Sequence, residues 1–199
     1  MGRAFRFLGR WVGEYVGSMC AFAAMVALGA ATMGTDGVFG TYLNAFGMTF
    51  IVILLVGATQ VGGPITDILL SVGCTRRRAY AGFQLALAAG CAVSMAATLA
   101  MGRLAVALDE RYMKLKVPLL VLAGLMVLAA ETGAVMARLQ GMGKKAALGV
   151  PMVIAALVGY IAGMFLEGSW AGLALGAGLL AAGLALAAVN WRQMRRAAL

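Results

Sequence analysis

The charges of this chain are gathered into clusters that leave long uncharged intervals, and no other feature limits its fold as much. Between Glu14 and Asp36 lie 21 uncharged residues, between Asp36 and Asp67 lie 30, and between Arg78 and Arg103 lie 24. Between Lys145 and Glu167 lie 21, and between Glu167 and Arg192 lie 24. A further interval, Val117 to Ala137, holds 21 residues with Glu131 as its one charge. A helix needs about 20 mostly apolar residues to cross the hydrocarbon core of a bilayer, so each interval is long enough for one span. Of 199 residues 63% are apolar and 12% charged. One soluble core could not hide that much apolar surface, whereas a bilayer solvates it. Strands are excluded by length, since a barrel strand needs only about 10 residues and alternates in and out.

The expected fold is therefore an all-α integral membrane protein with six transmembrane helices. The spans are placed at about 16–35, 42–63, 79–101, 117–137, 146–166 and 169–190, in one domain covering 16–199. The apolar run after Glu14 is longer than a signal-peptide core and reads as a retained first span. Twelve of the 16 basic residues fall in the two termini and the loops after spans two and four. Arg103, Arg111, Lys114 and Lys116 fall on the other side, with Asp36, Asp109, Glu110 and Glu167. This bias places both termini in the cytoplasm of a cell (inner or plasma) membrane. The formal charge of +9 is spread over these ends without interleaved aromatics. It points to anionic membrane lipid as a partner and not to nucleic acid.

Chemistry inside the chain is expected to be sparse. There is no histidine, no CxxC among Cys20, Cys74 and Cys91, and no GxxxxGK[ST], GxSxG or HExxH motif. Neither a catalytic residue nor a metal site is expected, and ATP hydrolysis by this chain is not. Uphill transport would need a partner or an ion gradient. Glu131 is the acid well inside a span, which makes it a candidate for the substrate path, or a residue that a neighbouring helix satisfies. Thr59 and Gln60, with Gln84, are polar residues near the same membrane face and join it as lower-ranked candidates.

Two segments carry amphipathic signals. Over residues 1–15, Phe5, Leu8, Val12 and Tyr15 recur at helical spacing with Trp11 beside them, while Arg3, Arg6 and Arg10 fall elsewhere. This predicts an interfacial helix with Trp11 and Tyr15 as headgroup anchors. Between spans two and three, Ile65, Ile68, Leu69 and Val72 fall at i, i+3, i+4 and i+7, with Asp67 and Ser71 turned away from that stripe. Gly73 is placed to end this helix and Thr75 to cap the next, which begins with Arg76, Arg77 and Arg78.

The string Leu70-Ser-Val-Gly-Cys-Thr-Arg-Arg-Arg-Ala-Tyr80, followed by Gly82, resembles the S-x-G-x-[ST]-R-[KR]-x-x-[FY]-x-G signal of small ABC-2-type transporter permeases. That resemblance implies a six-span subunit with an N-terminal elbow helix and a cytoplasmic coupling helix seated in a groove of an ABC ATPase subunit. It implies a second permease subunit, identical or related, and ATP–Mg on the ATPase, with no cofactor in this chain. Carried onto this sequence, Ile65, Asp67, Ile68, Leu69 and Val72 belong to the coupling helix. Arg76, Arg77 and Arg78 would lie near the ATPase or lipid phosphates. The expected function is thus the permease of an ABC exporter. The alternatives are a stand-alone small transporter and a six-helix substrate-binding subunit of a vitamin uptake system.

Overall fold

The computed structural model describes residues 2–34, 46–71, 73–108, 117–139, 142–166 and 168–196. The order is α1 (Gly2–Met33), α2 (Phe46–Gln60), a π-helical turn (Val61–Ile65), α3 (Thr66–Ser71), α4 (Arg76–Leu108), α5 (Leu119–Ala137), α6 (Met142–Phe165) and α7 (Trp170–Arg196). No strand occurs among the described residues. Six helical segments are long and apolar enough to cross a membrane, which makes this a multi-pass membrane protein. The expected outer charges Asp36, Asp109, Glu110, Arg111, Lys114, Lys116 and Glu167 lie outside the described residues, as does Val72.

Helix boundaries differ from expectation in three places. First, α1 is 32 residues without a break, so the amphipathic segment and span one are one rod. Neither proline nor a capping break interrupts it, and glycine weakens a helix without stopping it. Trp11 and Tyr15 do not stand out as headgroup anchors, for they are 6% and 5% exposed. Their rings stack at 5.4 Å over the space left by Gly57 and Gly90, and Tyr15 Oη and Ser94 Oγ are 2.7 Å apart. Second, span two continues through the π turn into α3. Third, α4 has 33 residues, about 50 Å of helix against a hydrocarbon core of about 30 Å.

The core is built around α5, of whose 19 residues 12 are buried. Small residues decide how its neighbours approach. On α7, a Cβ added at Gly176 would lie 2.8 Å from the Leu120 carbonyl carbon, and one at Gly183 would lie 3.1 Å from the Leu128 nitrogen. From the other side, a Cβ at Gly124 would lie 2.9 Å from the Gly176 oxygen. Residue numbers rise together along this contact, so α5 and α7 run parallel with backbones nearly touching, as membrane helices do where dispersion replaces the hydrophobic effect. Across α5, Gly133 faces the Leu55 carbonyl and Gly62 faces the Ala134 Cα in the same way. By contrast α6 leaves Val150, Ile154, Leu157, Val158 and Ile161 exposed, a surface that a bilayer would cover.

The C-terminal end of α7, the start of α4 and the end of α5 lie together at one end of the bundle. Arg76, at the start of α4, donates to the Arg195 carbonyl at 2.9 Å, and Arg138, just past α5, donates to the Asn190 carbonyl at 2.8 Å. This is called the basic end below.

Candidate functional site

The site is best built from Pro64. A proline inside a helix has no N–H to give and its ring collides with the carbonyl one turn back. Here the turn Val61–Ile65 is widened to a π-helix around it, the usual way a helix absorbs such an insertion. Its carbonyls find side-chain partners: Thr66 Oγ1 donates to Val61 O at 2.7 Å and Arg138 Nε donates to Gly62 O at 3.2 Å. Gly62 and Gly63 have no Cβ to hold the turn away from Ala134 and Ala137 of α5.

Beyond the π turn, α3 shows two sides. Thr66 and Leu69 are buried, and Leu69 is 2% exposed. Asp67, Ile68 and Ser71 are exposed. The apolar stripe expected to face a partner is thus divided: Leu69 packs into the bundle, while Ile68, 42% exposed, shares the outer side with Asp67 and Ser71. The reason is that α3 prolongs span two and must rest one side on the bundle. The Ile65 side chain lies outside the described residues.

A Schellman motif ends α3. Cys74 N–H donates to Leu69 O and Gly73 N–H to Leu70 O, both at 3.1 Å, with Gly73 at φ +83°. Thr75 then opens α4, its carbonyl taking the Ala79 N–H at 2.9 Å. A side chain at Gly73 would strain the left-handed conformation. Gly73→Ala is expected to cost about 1 kcal/mol, read as a lower unfolding temperature in mild detergent. An unchanged midpoint would show that the turn relaxes freely.

Behind the π turn lies a buried polar network joining α4, α5 and α7. Glu131 is 3% exposed and Asn190 fully buried. The Asn190 amide donates to Glu131 Oε2 at 2.6 Å and to the Glu131 carbonyl at 3.1 Å. The Asn190 backbone carbonyl receives Arg138 Nη1, so one residue holds both the acid and the base. Gln84 is a further partner of the Glu131 side chain and donates to Tyr80 Oη at 3.1 Å, while Tyr80 donates to Ala187 O at 2.8 Å. The Arg138 guanidinium also sits 5.8 Å from the Phe83 ring centre. Burial pushes its pKa below the ordinary arginine value, and Asp67, Tyr80 and Glu131 pull it back up. Arg138 Nη2, Asn190 Oδ1 and Gln193 Oε1 are buried without a hydrogen-bond partner among the described residues, so the network has polar atoms to spare for another arrangement.

The remaining candidates separate from this cluster. Thr59 turns its hydroxyl back to Val56 O at 2.6 Å. Gln60 is exposed and lines a groove of about 350 Å³ between α1 and α2 with Trp11, Glu14, Tyr15 and Ser18, on another face of α2 from Glu131. Arg77 and Arg78 are exposed. Among the described residues no three His, Cys, Asp or Glu side chains gather as a metal site would require. Asn190 is the participant that sequence reasoning passed over. Its spacing of seven from Gly183, itself seven from Gly176, places it on the face of α7 that meets α5.

No protein-family model, curated protein or solved structure matches this chain.

Proposed function

We propose that this chain is the permease subunit of an ABC-type exporter, working with a separate ATP-hydrolysing subunit and a second permease subunit, identical or related. The observation that carries the reading is the build of α3. It is a short helix with Asp67, Ile68 and Ser71 exposed, stopped by a Schellman turn and rooted in a π turn that Arg138 ties to α5 and α7. Such a part transmits a push. An ATPase seated on the outer side of α3, at the cytoplasmic face, displaces it when its ATP–Mg sites close. The π turn passes the displacement to Gly62 and Arg138, and the Asn190 bridge passes it to spans four and six. Transport then follows as a change between two packings of the same helices. Arg76, Arg77 and Arg78 lie beside this contact.

The test is to extract the tagged chain from its native membrane in mild detergent and identify what co-purifies. A stoichiometric soluble ATPase is expected, and Asp67→Arg with Ile68→Asp should remove it while the chain still inserts. Retention of the ATPase by that double variant would sink the docking assignment. The groove between α1 and α2 favours a second reading, a stand-alone small transporter or a six-helix substrate-binding subunit. Recovery of the chain alone, with a small ligand bound, would select it.

A further inference from the structure

The junction of α4 and α7 at the basic end brings together arginines that are far apart in sequence. Arg76 donates to the Arg195 carbonyl, which sets the turn holding Arg77 and Arg78 against the turn holding Arg192 and Arg195. Arg77, Arg78, Arg192 and Arg195 are exposed, and none of the four is paired with a carboxylate among the described residues. The described acids are engaged or placed elsewhere: Glu14 pairs with Arg10, Glu131 is bound to Asn190, and Asp67 lies on α3. Four like charges on two adjoining turns repel one another unless an anion sits among them.

We propose that this junction binds the phosphate of an anionic membrane lipid. Guanidinium groups meet phosphate oxygens through paired N–H donors, and one of the four is already oriented. Arg195 lies 5.2 Å from the centre of the Trp191 ring, and Trp191 in turn packs on Tyr80 at 4.8 Å. A guanidinium held on an aromatic ring loses less freedom on binding than one in open water. The aromatic pair also decides the source of the phosphate. Tyr80 and Trp191 lie where two membrane-crossing helices end, the level at which such rings meet lipid headgroups. From there α7 runs into the bilayer with exposed Leu184, two turns from Trp191 on the same face, offering apolar surface to the acyl chains. The lipid would join α4 to α7 at the point where their charges push them apart. The inference does not depend on the transport reading.

The experiment uses the full purified chain in phosphatidylcholine nanodiscs doped with phosphatidylglycerol, with retained lipid counted by native mass spectrometry. Phosphatidylglycerol should be retained in preference to phosphatidylcholine. Arg77→Gln, Arg78→Gln and Arg192→Gln together should weaken that retention on the order of a hundredfold, about fivefold for each charge. These three side chains are chosen because the helix contacts of Arg76 and Arg195 stay in place. Arg192→Gln alone, with about a fivefold loss, serves if the triple variant does not fold. Lys144→Gln with Lys145→Gln, at the same end of the bundle, should leave retention unchanged. Losses that follow only the number of charges removed, wherever they sit, would overturn the site, as would equal retention of the two lipids. Stabilisation by inorganic phosphate alone, equal to that by phosphatidylglycerol, would overturn the lipid assignment.

Discussion

Asn190→Leu is expected to destabilise the bundle by about 1–3 kcal/mol, because it leaves the buried Glu131 side chain without its Asn190 donor. The Asn190 side-chain amide donates to the buried Glu131 carboxylate, whereas Arg138 donates to the Asn190 backbone carbonyl, which leucine keeps. Leucine has the branching of asparagine and is no smaller, so the loss is polar and not a cavity. Glu131→Gln should cost under about 1 kcal/mol, since an amide oxygen still accepts the Asn190 N–H in a setting where interhelical hydrogen bonds are individually modest. Denaturation in mixed micelles, followed by circular dichroism, measures both. If Asn190→Leu proves as mild as Glu131→Gln, the Asn190–Glu131 bridge contributes little and the proposed relay from α7 to α5 through it loses its support.

Gly133→Ala should be the most damaging single methyl among the described glycines, at about 2–3 kcal/mol. Its Cβ would fall on the carbonyl of Leu55 and lie 2.9 Å from the Ala58 Cβ. A backbone oxygen cannot rotate away as a side chain does, so α2 and α5 would have to part along their length. Gly17→Ala gives the opposite sign. Nothing lies within 4 Å of a Cβ there, and alanine is the better helix former by up to about 1 kcal/mol. The pair separates glycine that packs from glycine that does not. Equal midpoints for the two variants would contradict the close approach of α2 to α5.

Six spans were legible because charge is too costly to leave in hydrocarbon, so its absence over 21 to 30 residues marks five crossings and the lone Glu131 in 21 residues marks the other. The stop at Gly73 was legible for a similar reason, since few residues but glycine tolerate φ +83°. The polar network was not legible. Glu131 announces itself as an acid in a span, but its partner Asn190 lies 59 residues away, at the last residue of the expected span six. Periodicity reports which face of a helix is apolar and not which helix it meets. The same limit hid the division of α3, where Ile68 and Leu69 belong to one stripe by spacing and to opposite surroundings in the bundle. It also hid the fate of Trp11 and Tyr15, whose composition suits an interface but whose rings fill the space over Gly57 and Gly90.

That separation between Glu131 and Asn190 also bears on how the protein is made. Helix α5 leaves the ribosome well before α7, yet α7 supplies both the glycine face against which α5 nests and the amide that receives its carboxylate. Until α7 is inserted, a nascent chain carries Glu131 in the bilayer without that companion. Assembly is therefore ordered by synthesis, with the central helix waiting on a later one. Chains stalled between α5 and α7 should be the form that membrane quality control recognises first.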